Sequence, residues 1–284
     1  MYDAVPASAQ GPRPLAMQRV DGVARIRFAR SGGKTRLDDL FQSGAAKIRL
    51  PRVYGAPPTA VLLNTAGGLT GGDRLGFDID VESDAHAIVT SQTAERAYRS
   101  SDGTANVRVT LQAGQASTLE WLPQETILFD RSRLKRTVTA DMHATARLML
   151  LETVVLGRTA MGEQVNSVFF KDSWRIRRDG NLVFADDIRL DGNPAEILAG
   201  PATGNGKHVF ATFADCVPDA EDRLNFARSC LEGIPENTTR AATSAWNGML
   251  VARFVSSDSR DLRTTLMSFL TRYRAAELPR VWHC

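Results

Sequence analysis

Apolar and polar residues alternate over many short segments between residues 20 and 217. Clear examples are residues 23–28, 107–111 and 119–122. Because successive side chains of a strand point to opposite faces, this alternation predicts half-buried β-strands. Turn-forming residues such as those at 178–181 separate the segments. The pattern therefore predicts a mainly β chain over this range.

Two segments depart from simple alternation. Residues 61–63 and 148–151 are continuously apolar, which is typical of strands covered on both faces. A helical period appears near the C-terminus, where it predicts helices at about 219–231 and 259–277, with a further strand at 249–255 between them. The second helix carries an apolar stripe formed by Leu262, Leu266, Phe269, Leu270 and Tyr273. No fixed repeat length is visible, although so many short strands allow an irregular helical or stacked β arrangement.

The composition is that of a globular protein. The chain has 284 residues, of which 43% are hydrophobic and 24% charged, so it can form one large β-rich domain or two ordinary ones. The net charge of +3 is spread along the chain. The densest basic run, residues 131–136, has no interleaved aromatic residues. We therefore expect a solvated basic face and no nucleic-acid interface.

Cysteine usage and the N-terminus indicate a cytoplasmic protein. The three cysteines, Cys216, Cys230 and Cys284, have unrelated spacings, so no disulfide framework is expected. No apolar run approaches the roughly 18 residues of a membrane helix, and the first residues lack the features of a signal peptide. Three prolines among the first 14 residues predict a mobile tail at 1–19. Residues 20–284 are predicted to form a single domain.

The segment at residues 31–35, Ser-Gly-Gly-Lys-Thr, looks like the end of a phosphate-binding loop. The complete motif needs a further glycine where this chain has Phe28. The preceding strand also alternates, whereas strands that lead into phosphate-binding loops are continuously apolar. A glycine turn between two strands is the better interpretation.

A second glycine-rich loop, at residues 64–73, is more unusual. It holds four glycines and closes with Asp73. Glycine is used where the backbone takes a positive φ or approaches another group closely. The dinucleotide-binding spacing is missing and no helix follows. The residues leave two interpretations open. The loop is either a tight connection between strands, or a functional loop that forms a backbone nest or holds Asp73 in a buried channel.

Several acidic residues lie in apolar surroundings. Glu152 interrupts a long apolar run, and Asp186 with Asp187 lies between two others. A buried carboxylate needs a partner or a shifted pKa. These acids are either weak contact points for a passing metal ion or members of structural salt bridges, for example to Arg189 or Arg158. The histidines lack metal-motif spacing, so no structural zinc site is predicted.

An enzymatic function has little support in the sequence. No Gly-x-Ser-x-Gly elbow is present, and no carboxylate pair can be selected from 32 acids without geometry. A β-rich hydrolase or isomerase with carboxylates in a cleft remains the alternative function. A metal-storage protein is disfavoured because clusters of histidine and cysteine are missing.

Several segments, in order, resemble the urease accessory protein D family. The strongest is the glycine loop, Asn-Thr-Ala-Gly-Gly-Leu-Thr-Gly-Gly-Asp at residues 64–73. The similarity covers nearly the whole chain from about residue 20. The other segments are residues 31–35, 90–100, 119–129, 156–158, 161–163 and 278–282.

This resemblance implies a fold and a role. The expected fold is a right-handed β-helix-like stack of short strands with a small helical part near the C-terminus. The expected role is that of a chaperone without catalysis, which binds apo-urease and recruits accessory protein F and, through it, the GTPase accessory protein G. The assembly would deliver nickel to the urease active site. No tightly bound cofactor is implied, only a nickel ion in transit.

The resemblance also implies a route for the metal. Nickel would pass through an internal, water-filled path that includes Asp73, Glu95, Glu152 and Asp186, since hard carboxylate oxygens with water can hand on a divalent ion without trapping it. The two C-terminal helices and Trp282 are candidates for docking protein F. The alternative for these apolar stripes is that they belong to the core.

Overall fold

The computed structural model describes residues 19–158, 162–234 and 237–283. Apart from Arg19, the tail predicted at residues 1–19 lies outside the described residues, and so does Cys284.

The described residues form strands with few helices. The strands are β1 Asp21–Ser31, β2 Lys34–Gly44, β3 Ala46–Arg49, β4 Thr59–Asn64, β5 Arg74–Val81, β6 His86–Ser91, β7 Glu95–Ala97, β8 Ala105–Ala113, β9 Thr118–Trp121, β10 Thr126–Leu128, β11 Arg133–Met142, β12 Arg147–Leu156, β13 Val168–Arg178, β14 Asn181–Gly192, β15 Val209–Cys216, β16 Thr239–Trp246 and β17 Met249–Ser256. The helices are α1 Pro194–Ile197, α2 Leu224–Ser229 and α3 Ser259–Arg274, followed by a 3-10 turn at Arg280–His283.

The strands form two sheets built by stacked coils of chain. The first sheet has the order β14-β13-β11-β8-β5-β1-β2, and the main path of the second is β16-β17-β15-β12-β9-β6-β4-β3. From β4 to β13 successive strands alternate between the sheets, with β7 and β10 as short additions that pair with each other. The coil strands pair in parallel within each sheet. This solenoid-like arrangement confirms the prediction of a mainly β, stacked-strand fold.

Burial along each strand follows the sequence pattern. In β1, Ala24, Ile26 and Phe28 are buried while Arg25 and Arg27 between them face solvent. In contrast, β12 is buried along nearly its whole length. The reason is that the second sheet is covered on both faces, as the continuous apolar run predicts.

Two hydrophobic cores define three layers. The first core lies between the sheets and includes Phe28, Ile79 and Leu119. The second lies between the outer face of the second sheet and the C-terminal helices, where Phe213 of β15 packs edge-on against Phe269 of α3 at 5.4 Å between ring centroids. The layers are therefore sheet, sheet and helix.

The segment Ser31–Thr35 is the turn of the β1–β2 hairpin. Gly32 and Gly33 have φ values of 58° and 76°. Residues other than glycine rarely adopt this backbone conformation. The predicted glycine turn is confirmed, and the loop precedes a strand where a phosphate-binding loop would precede a helix.

Helix α3 begins and ends with recognisable caps. The carboxylate of Asp258 accepts hydrogen bonds from the backbone N–H groups of Arg260 and Asp261. The helix ends at Ala275, whose φ of 51° is left-handed. Helix α2 is shorter than the predicted 219–231, because residues 218–223 form turns instead.

The apolar stripe of α3 and the C-terminal turn are core. Every member of the stripe is at most 5% exposed, so it packs on the second sheet and offers no free face to a partner. Trp282 is 2% exposed, and its indole N–H donates to Thr90 Oγ1 at 3.1 Å. Arg263 of α3 also donates to the Trp282 carbonyl at 2.8 Å. Of the two alternatives for the α3 stripe and Trp282, burial therefore supports the core, and docking of accessory protein F by other parts of the C-terminal helices stays a prediction.

We expect Leu266→Ala to lower the free energy of unfolding by about 2–5 kcal/mol, because it opens a cavity in the second core. Leu182→Ala is the matched control, since Leu182 on β14 is 53% exposed. That change should stay within about 0.5 kcal/mol of the unchanged protein. Denaturant unfolding of both variants gives the comparison. Equal effects would contradict the assignment of α3 to the core.

Candidate functional site

A cavity of about 270 Å³ lies between the two sheets. Its walls are mostly apolar and come from both sheets, with Leu75 and Val109 on one side and Leu62 on the other. At one end it is lined by Gln92 and Thr93, which are exposed, so this end lies at the protein surface. Polar side chains, among them Glu95, Thr126 and Glu152, also line it.

Glu95 lies at the surface end of the cavity, at the start of β7. Asn64 Nδ2 donates to its two carboxylate oxygens at 3.2 and 3.4 Å, and the Arg96 backbone N–H donates at 2.9 Å. Burial raises the pKa of Glu95, and the nearby charge of Asp73 adds to this effect. A positive ion at this position would relieve the cost of an ionised, desolvated carboxylate.

Glu152 lies at the inner end, on β12, and is 5% exposed. The indole N–H of Trp121 donates to Oε1 at 2.9 Å. Its other oxygen, Oε2, pairs with the guanidinium of Arg136. Burial and the neighbouring Asp172 raise the pKa of Glu152 to about 7, although Arg136 opposes them.

Arg136 of β11 lies between two buried carboxylates. Besides Glu152, it binds Asp172 of β13 through two N–H groups, at 3.0 and 2.6 Å, and Thr126 Oγ1 at 3.2 Å. Trp174 Nε1 donates to the same Asp172 at 3.3 Å. We call Arg136, Glu152 and Asp172 the buried ion cluster. Burial lowers the pKa of Arg136, but the two carboxylates outweigh it, so the net shift is upward and the guanidinium stays charged.

A smaller cavity, of about 10 Å³, adjoins the opposite side of this cluster. Arg136 and Glu152 line both cavities, and the smaller one is also lined by Asp172 and Asp186. Asp186 pairs with Arg253 at 2.9 Å, and the Arg253 side chain is 53% exposed. Three of the four acids predicted from the resemblance, Glu95, Glu152 and Asp186, therefore line two adjoining cavities.

Asp73 has a different environment. It is 2% exposed and does not line either cavity. Its Oδ1 accepts the backbone N–H of Val20 at 2.8 Å, and its Oδ2 accepts that of Thr70 at 2.7 Å. The glycine loop connects β4 to β5, and within it a side chain on Gly68 would collide with Tyr98. Asp73 thus holds a tight connection between strands, and its part in a metal route stays a prediction.

Sequence reasoning missed Arg136 and Asp172. The basic run at 131–136 is predicted to be solvated, yet Arg136 is only 4% exposed. The signal that identifies it is strand alternation, since Leu134, Arg136 and Val138 are alternate residues of β11 and all face the interior. The salt-bridge alternative for Glu152 and Asp186 is confirmed, with Arg136 and Arg253 as the partners. The suggested partners Arg189 and Arg158 are wrong.

These two arginines have nearer acidic partners. Arg189 binds Asp191 at 2.7 Å and Arg158 binds Glu163 at 2.9 Å. In the described residues, no group of three or more His, Cys, Asp or Glu side chains is placed to hold a metal ion. Within the same ranges, no helix is both long and apolar enough to cross a membrane.

The fold and the site define a class, a β-solenoid with an acid-lined internal cavity and a helical outer layer. The family model described as UreD urease accessory protein matches residues 20–283, so the chain belongs to that family. This confirms the resemblance, makes the chain an accessory protein of urease, and removes the alternative of a hydrolase or isomerase.

Individual relatives agree with the family match. Urease accessory protein UreD 2 of Methylorubrum populi is 43% identical, over 96% of this chain and 94% of the relative. Urease accessory protein UreD 1 of Methylobacterium radiotolerans is 44% identical, over 94% and 93%. Urease accessory protein UreD of Rhizobium leguminosarum bv. trifolii is 41% identical, over 97% and 98%. The similarity is therefore to whole proteins.

We expect Asp73→Ala to destabilise the protein by about 1–3 kcal/mol, because two partly buried N–H groups lose their acceptor. The amides of Val20 and Thr70 should then exchange their hydrogens faster. Asp102→Ala, an exposed change in a neighbouring turn, is the control and should leave both amides protected. Unaltered exchange and stability in Asp73→Ala would contradict a loop-holding role.

Proposed function

We propose that this chain is a maturation chaperone that binds apo-urease and helps deliver nickel to the urease active site through the internal cavities. Family membership supports the role in urease maturation. One observation supports the nickel route: Glu95, Glu152 and Asp186 line two adjoining cavities that run from the surface past the buried ion cluster. In this proposal accessory protein F binds the chain and brings the GTPase accessory protein G, and the complex acts in the cytoplasm.

The sizes of the cavities suit a hydrated ion at one end. One water needs roughly 10–15 Å³ of comparable volume, so the larger cavity, at about 270 Å³, has room for an ion with several waters. The smaller cavity, at about 10 Å³, has room for about one water. An ion that passes from the larger to the smaller cavity therefore loses most of its waters near Glu152 and Asp172.

The chemistry of the walls favours passage over storage. A carboxylate oxygen is a hard ligand, and a single carboxylate leaves most coordination positions of a divalent ion to water. Tight sites for metals of this kind use clusters of imidazole and thiolate ligands. Between Glu95 and Glu152 the cavity is lined by apolar side chains and by neutral polar groups such as Thr126 and Gln124, and the described lining includes neither histidine nor cysteine. We therefore assign nickel the role of cargo and propose no resident cofactor.

We expect Glu152→Gln and Glu95→Gln to lower urease activation several-fold while the complexes still form, because each change removes one negative charge from the route and keeps the side-chain shape. The chain would be co-expressed in nickel medium with the urease subunits and the other accessory proteins. Urease activity, nickel per active site and co-purification of the partners are the three readouts.

Glu277→Gln is the control, since Glu277 is exposed and remote from both cavities. It should leave activation unchanged. If both cavity variants load urease with nickel as well as the control does, the internal route is wrong. If they lose the partners as well, they report on assembly and the effect on the route must be read from the nickel content of the complexes that remain.

A further inference from the structure

The buried ion cluster separates the two cavities. Arg136 and Glu152 line both of them, so the guanidinium and its partner carboxylate form the shared wall. This wall is buried and charged, because Arg136, Glu152 and Asp172 are each at most 5% exposed. The shared lining places the passage between the cavities at Arg136 and Glu152, with Asp172 on the side of the smaller cavity.

Each of the two carboxylates accepts one hydrogen bond in addition to those from Arg136. Trp121 donates its indole N–H to Glu152 at 2.9 Å, and Trp174 donates to Asp172 at 3.3 Å. Both indoles belong to buried residues of the sheets, Trp121 in β9 and Trp174 in β13. Each carboxylate therefore has a donor besides Arg136, and both carboxylates face the guanidinium.

Arg136 lies between the two carboxylates. Its guanidinium binds one oxygen of Glu152, both oxygens of Asp172, and the hydroxyl oxygen of Thr126. These are all oxygen atoms, which is the ligand set that a hard or borderline divalent cation accepts. The guanidinium places a positive charge between two carboxyl groups, so it takes the place that a dication would otherwise fill.

We propose that Arg136 is a built-in cation that closes the passage between the two cavities and prevents Glu152 and Asp172 from trapping a divalent metal ion. An arriving dication displaces the guanidinium from one carboxylate, and the returning guanidinium releases the ion. The identification of the ion as nickel rests on the proposed function. The exclusion of divalent metal by Arg136 does not depend on it.

The test replaces Arg136 with methionine, which has a similar apolar stem and no charge. Purified full-length protein, in complex with its co-expressed partners, would be dialysed against nickel chloride, desalted and analysed for metal. We expect the unchanged protein to retain almost no nickel in this cluster and Arg136→Met to retain on the order of one ion per chain. Arg136→Lys keeps a cation between the carboxylates and should retain no more than the unchanged protein.

Two further variants assign any retained metal to the cluster. Arg136→Met combined with Glu152→Gln and Asp172→Asn should lose it, because both carboxylates are gone. Arg136→Met with Glu277→Gln is the matched control and should keep it. Retention that survives the triple change, or an Arg136→Met protein that folds and retains no extra nickel, overturns the proposal.

Loss of Arg136 leaves two unpaired buried carboxylates, so the single variant is expected to be less stable. A dication that fills the vacated position should stabilise it, and nickel should therefore raise the melting temperature of Arg136→Met far more than that of the unchanged protein. If the variant folds only when nickel is added, the proposal is supported. If nickel neither rescues nor stabilises it, Arg136 is a structural ion-pair partner only, and the proposal is wrong.

Failure of this proposal can be told apart from failure of the proposed function. Metal retention is read on the chain and its complex, whereas the nickel route is read from urease activation by Glu95→Gln and Glu152→Gln. If Arg136→Met retains nickel and those two variants activate urease normally, the proposed role of Arg136 stands and the internal nickel route is wrong. If Arg136→Met retains no extra nickel while Glu95→Gln and Glu152→Gln lower activation, the internal route stands and the proposed role of Arg136 is wrong.

Discussion

The interior of this solenoid tolerates charge because Arg136 lies between Glu152 and Asp172. Each coil contributes one strand to each sheet, and nearly all side chains between the sheets are apolar. An ionised carboxylate in such a place is strongly unfavourable unless it is paired and hydrogen-bonded. The guanidinium and the two tryptophan N–H groups satisfy that requirement. Protein interiors are generally closely packed, and the two cavities adjoin the charged cluster on either side.

The outer layers keep this interior in place. Helix α3 and the C-terminal turn cover the second sheet, and Trp282 is tied to Thr90 and to the Leu122 carbonyl at 3.1 and 3.3 Å. Gln124 lines the larger cavity and donates to the Val281 carbonyl at 3.1 Å. The C-terminal residues thus support one wall of the cavity. A surface that looks available for partners in the sequence is instead part of what shapes the site.

The sequence predicts the strands and α3 well because their patterns are local. Alternation in β1 and the continuous apolar run in β12 report directly on which faces are covered. Helix α2 is shorter than predicted, because residues 218–223 close into turns. Asp73 could be recognised as unusual, but its acceptance of two backbone N–H groups depends on the folded path of the loop.

The polar contacts of the site depend on long-range pairing, which one sequence does not reveal. Arg136 and Asp172 are 36 residues apart, and Asp186 and Arg253 are 67 apart. Arg136 also stands in a basic run that resembles a solvated face. Only its position two residues after Leu134, on the same inward face of β11, distinguishes it. Glu152 can be recognised in the sequence because a single acid in an apolar strand is rare. Its partner Arg136 cannot be recognised in that way.

The most direct test of the account fills the larger cavity without changing its charges. Val107→Phe adds an aromatic ring on the cavity side of β8, and Thr110→Phe adds the same ring on the opposite face of that strand. Nickel per urease active site would be measured after co-expression, with assembly of the complexes confirmed for both variants. The account predicts that Val107→Phe leaves urease largely without nickel, whereas Thr110→Phe loads it normally. Full nickel loading with the cavity filled would contradict an internal route.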